Sequence, residues 1–185
     1  MPATEKSILV KTIPSVRGLV QCDYPIAHST WFRVGGQAQI LFEPADVEDL
    51  AEFLIGLDES IPLTVIGAAS NLLVRDGGIP GVTIRLGKPF SGVDAQKTSF
   101  EIIASGSAIG VKVSRAAQQY GMSGLEFLSG IPGTVGGAIR MNAGAYGSEL
   151  SNILTKAEAV SRQGQILTFQ RSEMEDRKST RLNFS

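Results

Sequence analysis

The distribution of glycine constrains this chain more than any other feature. Of its 185 residues 21 are glycine, above the usual ~7%, and the excess is gathered into three short segments. The first, Gly67-Ala68-Ala69-Ser70-Asn71-Leu72-Leu73-Val74, directly follows Pro62 to Ile66, which reads as a short buried strand. Glycine and asparagine tolerate left-handed backbone angles and Ser70 offers a hydroxyl, so this turn can aim successive amide N–H groups into a concavity suited to phosphate oxygens. Taken alone, it is equally an ordinary strand exit. The second segment is Gly130-Ile131-Pro132-Gly133-Thr134-Val135-Gly136-Gly137-Ala138, and the third is Asn142-Ala143-Gly144-Ala145-Tyr146-Gly147. Such density lets backbone approach a flat or anionic ligand with no side chain between them. Neither segment has the spacing of G-x-G-x-x-G or of G-x-x-x-x-G-K-[ST], so Rossmann and P-loop architectures are excluded.

The rest of the pattern mixes helix and strand. Phe32 to Pro44 is largely alternating and broken at Gly35-Gly36, which predicts strand, turn and strand. Asp46 can cap a helix whose apolar stripe is Val47, Leu50, Phe53, Leu54 and Leu57. Val82 to Leu86 and Phe100 to Ala104 read as strands. Ile109 to Tyr120 returns to helical periodicity and Gly121 is placed to end it. Ala157 to Val160 and Gln165 to Phe169 form a hairpin about Gln163-Gly164. Strands outnumber what βαβ units need, so the class is α+β, divided near Asp94.

Composition narrows the function. Lys+Arg 17 against Asp+Glu 18 gives a formal charge of −1, with no basic run interleaved with aromatics, so nucleic acid is not an expected partner. Charges at Glu5, Lys6, Lys11 and Arg17 break the N-terminal apolar stretches, which argues against a signal peptide or membrane span and for the cytoplasm. One cysteine, Cys22, forms no internal disulfide and is expected to be partly buried; one histidine, His28, makes no zinc site and reads as a surface or loop residue.

Three segments together resemble the UDP-N-acetylenolpyruvoylglucosamine reductases: Thr30-Trp31-Phe32-Arg33-Val34-Gly35-Gly36, then Ile66 to Val74, then Gly130 to Ala138 with Met141-Asn142-Ala143-Gly144-Ala145-Tyr146-Gly147. They occur in the family's order, and the resemblance covers roughly Ala27 to Glu175. It implies a two-part α+β FAD-binding domain of the vanillyl-alcohol-oxidase/PCMH type, with FAD in the cleft between the parts. On that reading 1–20 is a lead, 21–94 the first FAD-binding subdomain and 95–175 an incomplete second one. The expected cofactor contacts are Gly67, Ala68, Ala69, Ser70, Asn71, Leu72, Gly130, Ile131, Pro132, Gly133, Thr134, Val135, Gly136, Gly137, Ala138, Asn142, Gly144, Tyr146 and Gly147. The implied reaction passes hydride from NADPH through FAD to the enolpyruvyl group of a UDP-sugar, for peptidoglycan, in a monomeric protein.

That reaction creates an enolate beside a carboxylate, so it needs a fixed cation or acid and a proton donor. The family's aromatic-Tyr-Arg motif, downstream serine and C-terminal glutamate are not in place here, so no catalytic residue is assigned. The chain is expected to be C-terminally truncated, lacking the substrate-binding domain, with 176–185 a non-native tail and with Arg177 and Arg181 poor substitutes for the missing arginine. It is expected to bind FAD weakly and without turnover. Arg33, Arg75, Asp76, Arg140 and Glu126 sit in or beside the loops as candidate polar contacts. Tyr146 could meet a ligand or be a buried structural tyrosine, and Trp31 and Phe32 are expected in the core. Two alternatives stand beside this reading: another FAD-dependent oxidase of the same fold, with His28 as the only covalent attachment point, or a nucleotide-binding module without redox chemistry.

Overall fold

A computed structural model describes residues 13–174. The chain forms two compact units: the first runs to Gly87 and includes Val160–Ile166, and the second comprises Lys88–Ala159 and the chain from Leu167 onward. The α+β class expected from the sequence is what the elements show, but the division falls at Gly87/Lys88 and not near Asp94. Asp94 lies inside a strand, paired with Ile103, and a boundary there would cut a hydrogen-bonded ladder.

In the first unit β1 (Leu19–Pro25), β2 (Gln37–Glu43), β3 (Leu63–Ile66) and β4 (Ile79–Arg85) form a sheet in the order β1-β2-β4-β3. β1 runs antiparallel to β2, while β2 and β3 both run parallel to β4. Helix α1 (Val47–Gly56) connects β2 to β3. Its stripe of Leu50, Phe53, Leu54 and the following Leu57 packs on Ile40, Phe42, Val82 and Ile84 of the sheet, with the Phe42 and Phe53 rings stacked at 4.1 Å. Each such large side chain contributes roughly 1.5–3 kcal/mol on burial. β2 and β4 are buried on both faces, since Leu41 and Thr83 are also fully enclosed; hence their near-continuous apolar runs.

Two carboxylates fix the entry to α1. Asp46 caps the helix by accepting from the Asp49 N–H at 2.9 Å and takes a fork from the Arg17 guanidinium at 2.6 and 2.5 Å. Asp49, 1% exposed, accepts from the backbone N–H groups of Arg17, Gly18 and Ala45 at 2.7, 2.9 and 2.9 Å. Residues of the predicted lead are therefore tied to the unit, and β1 begins within it. β1 escapes pattern reading because it is an edge strand, largely exposed on both faces, with Asp23 in a left-handed conformation (φ 51°) that interrupts any alternation.

In the second unit the antiparallel pair β5 (Val93–Gln96) and β6 (Glu101–Ala104) carries helix α2 (Gly110–Gln119). Val113, Phe127, Leu128 and Leu150 are its buried centre, with Val93, Ile102, Val135 and Ala138 packed around them. Gly121 follows α2 and donates its N–H to Gln118 O at 3.1 Å, as expected of the helix end. The chain between Gly130 and Ala138 is not loop throughout, since α3 (Val135–Met141) begins inside it. The short pair β7 (Gly144–Ala145) and β8 (Ser148–Glu149) follows. β9 (Lys156–Val160) and β10 (Ile166–Gln170) form the expected hairpin. Its tip belongs to the first unit, where Arg162 donates to Asp58 O and Ile61 O at 2.9 and 3.0 Å. Asp176, Arg177, Arg181 and the rest of the predicted tail lie outside the described residues.

Candidate functional site

The first unit brings two of the three sequence segments into contact. Thr30, 5% exposed, donates its hydroxyl to Val34 O at 3.1 Å, and Arg33 N–H returns to Thr30 O at 3.2 Å. The segment is thus a closed turn and not the predicted strand; β2 starts only at Gln37. Trp31 N–H reaches Ala69 O at 3.5 Å and Gly36 N–H donates to Arg75 O at 3.0 Å, so the turn lies along 69–76. Only glycine serves at 36: a Cβ there would sit 2.1 Å from Asp76 O.

The Gly67 to Val74 segment leaves β3 and passes through Ala69, which is left-handed (φ 48°) and 7% exposed. An L-residue in that conformation costs roughly 1–2 kcal/mol, a strain held by the surrounding turn. Among the described residues, the N–H groups of Ala68, Asn71 and Leu72 donate to no backbone carbonyl. These amides are left without a backbone acceptor within the turn. Trp31 and Phe32 are 63% and 62% exposed and Leu73 is 69% exposed, so the two aromatics are not core residues. Their turn faces outward because its backbone, through Thr30 and Gly36, makes the inward contacts.

Beneath this turn lies a polar cluster invisible in the sequence. Arg85 at the end of β4 donates Nε–H to Glu43 Oε1 at 2.6 Å and also reaches Ser29 Oγ. The Ser29 hydroxyl is 2.8 Å from the Tyr24 hydroxyl, and the guanidinium carbon lies 5.4 Å from the Tyr24 ring centre. The hydrogen bond with Ser29 holds the Tyr24 phenol below its ordinary value of 10.0; burial opposes this and Arg85 assists it. Residues 24, 29, 43 and 85 share no motif, and only the strand order unites them. The cluster supports the Ser29–Thr30 corner. His28 is exposed in the preceding helical turn, and Cys22, expected partly buried, is exposed on the edge strand.

In the second unit the 142–147 segment folds back on Gly130. β7 and β8 are joined by Tyr146 and Gly147, both left-handed (φ 54° and 80°). Tyr146 is 87% exposed, which removes the buried-tyrosine reading. Its ring lies over Gly130: a Cβ at that position would be 2.8 Å from Tyr146 Cε2 and 3.0 Å from the hydroxyl oxygen. Glycine at 130 and the left-handed backbone at 146 thus hold an exposed aromatic plate beside bare main chain.

The start of α3 is largely satisfied from within. Val135 and Gly136 donate to Ala108 O and Gly106 O at 2.8 and 2.9 Å, and Ala138 donates to Thr134 O at 2.8 Å. Gly137 donates to Thr134 Oγ1 at 3.3 Å. What Gly130, Ile131, Pro132 and Gly133 offer is close approach more than an array of amides. Asn142 caps α3 in the left-handed conformation and its Oδ1 accepts from Ser151 N–H at 2.9 Å, anchoring the β7–β8 turn. Of the charged candidates, Glu126 accepts from Gly124 N–H at 2.8 Å, Arg75 participates through its carbonyl, and Arg33, Asp76 and Arg140 are exposed. Among the described residues no group of histidine, cysteine and carboxylates could hold a metal ion.

The family profile described as FAD binding domain matches residues 38–170, which contains both the Gly67 and Gly130 segments. The chain is 51% identical over 164 residues to the UDP-N-acetylenolpyruvoylglucosamine reductase of Parvibaculum lavamentivorans, a match covering 89% of this chain and 52% of that protein. It spans about half the length of the relatives it matches. The crystal structure of the Thermus caldophilus UDP-N-acetylenolpyruvylglucosamine reductase superposes with a TM-score of 0.69 at 31% identity, covering 86% of this chain and 54% of that one. That of 6-hydroxy-D-nicotine oxidase from Arthrobacter nicotinovorans superposes at 0.62 with 15% identity, covering 86% and 37%, a likeness of fold alone.

Proposed function

Because the chain belongs to the FAD binding domain family, we propose that it is the flavin-holding part of a UDP-N-acetylenolpyruvoylglucosamine reductase, which takes hydride from NADPH and reduces the enolpyruvyl group of a UDP-sugar in the cytoplasm. The observation that supports the flavin assignment is the strained turn at Ala69, at the exit of a parallel strand, where the Ala68, Asn71 and Leu72 amides have no backbone acceptor. Oriented backbone amides of this kind bind phosphate oxygens without a charged side chain. The residues present fit FAD on both of its chemical demands.

Gly67, Ala68, Ala69, Ser70, Asn71 and Leu72 would hold the pyrophosphate. Gly130, Ile131, Pro132, Gly133 and Thr134 would let main chain approach the flavin closely, with Val135, Gly136, Gly137 and Ala138 fixing the shape of that surface from α3. Gly144, Tyr146 and Gly147 would present the aromatic plate, and Asn142 would anchor their turn. When bound, FAD supplies hydride acceptance and delivery; the protein binds, orients and excludes water. The similarity to reductases at half identity supports the UDP-sugar as substrate; the protein is proposed to be monomeric.

Turnover is proposed for proteins of the relatives' full length, and flavin binding for this chain. Anaerobic NADPH added to the FAD-loaded protein is expected to bleach the flavin absorbance. A spectrum that NADPH leaves unchanged while dithionite bleaches it removes NADPH as the hydride donor.

A further inference from the structure

The second unit carries an open groove of about 640 Å3 between the 88–93 segment and α2. None of its lining residues belongs to the glycine segments discussed above. Lys112, Arg115 and Gln119 follow one another at three- and four-residue steps, so they share one face of α2, opposite the face that buries Val113 and Ala117. Lys88 stands on the other wall. The Lys112 ammonium donates to Ser91 O at 3.5 Å, both residues lining the groove. No aspartate or glutamate lines the groove, and none of the three cations enters an ion pair among the described residues.

In a chain whose formal charge is −1, this is a local concentration of uncompensated positive charge on a concave surface. Lys112 also occupies the first turn of α2, which carries no acidic residue, although the helix dipole disfavours cations there. A local choice that works against the helix is expected where a ligand, and not the fold, sets the residue.

We propose that this groove binds a soluble small molecule bearing adjacent phosphates. Lys112 and Arg115 stand one helical turn apart on the same face, so both long side chains can reach a single polyanionic group. Arginine adds the planar fork that matches two phosphate oxygens, and the lysines act as point charges. The assignment does not depend on the flavin reading, because the lining is separate.

Isothermal titration of inorganic diphosphate into the chain, with and without saturating FAD, tests it. With FAD saturating the flavin loops, saturable binding of one diphosphate per chain is expected, weakening as salt rises and falling about tenfold in the K112Q/R115Q double variant; without FAD the same binding persists beside any at the flavin loops. Circular dichroism checks the variant's fold; should α2 be lost, K88Q on the opposite wall provides the same comparison. Absence of saturable binding, or equal affinity in a folded variant, overturns the proposal. So does diphosphate binding that FAD abolishes, which would assign it to the flavin loops. Co-sedimentation with phosphatidylglycerol vesicles without binding of free diphosphate would overturn it in favour of a membrane surface.

Discussion

Asp49 shows how much a single buried side chain does in this chain. Its carboxylate satisfies three backbone N–H groups, and removing it leaves those donors enclosed without a partner. Asp49→Ala is expected to lower stability by about 3 kcal/mol, read from a denaturant midpoint. Burial pushes the Asp49 carboxyl upward, but the bonds from Ala45, Arg17 and Gly18 outweigh it and hold the group below the ordinary 3.8. A carboxyl depressed in the folded state contributes fully above its unfolded value, and the contribution is lost as pH falls through the folded one. Stability should therefore decline below about pH 3.8, and Asp49→Asn should flatten that decline. Thr83 is the opposite case: fully buried, with a hydroxyl that has no partner among the described residues. Thr83→Val keeps the shape and removes the stranded oxygen, so a gain of about 1 kcal/mol is expected; a loss of that size would reveal a hidden partner.

Elements with an unbroken local pattern were legible in the sequence. The α1 stripe, its Asp46 cap, α2 and the β9–β10 hairpin all stand where periodicity placed them. Elements whose position depends on neighbours were not. β1 is paired only along one edge, and the start of the Phe32 to Pro44 alternation, expected as a strand, is closed into a turn by the Thr30 hydroxyl and by the approach of 75–78 at Gly36. Density of glycine marked Gly130 to Gly147 as one region, but not which residues would be helix, cap or plate. The Gly130–Tyr146 contact supplies a test at this scale. In Gly130→Ala the added methyl meets a flexible side chain and not buried backbone, so the unit should fold while Tyr146 is displaced. FAD affinity is expected to drop about tenfold, equivalent to roughly 1.4 kcal/mol, with an unchanged circular dichroism spectrum; unchanged affinity would remove Tyr146 from the site.

At the scale of the molecule, the joint order of three glycine-bearing segments was more informative than any one, and the two beginning at Ile66 and Gly130 lie inside the FAD binding domain match over 38–170. What no linear pattern could reveal is the support: Tyr24, Ser29, Glu43 and Arg85 meet only because β1, β2 and β4 are neighbours. Flavin binding by this chain is the property on which the functional reading rests. The direct measurement is a titration of the purified chain with FAD, followed by flavin fluorescence and absorbance, alongside a thermal melt. Saturation at one FAD per chain, with a melting temperature that rises with FAD concentration, is the expected result. A chain that melts cooperatively, and is therefore folded, yet neither perturbs the flavin spectrum nor gains stability from FAD, would contradict the account.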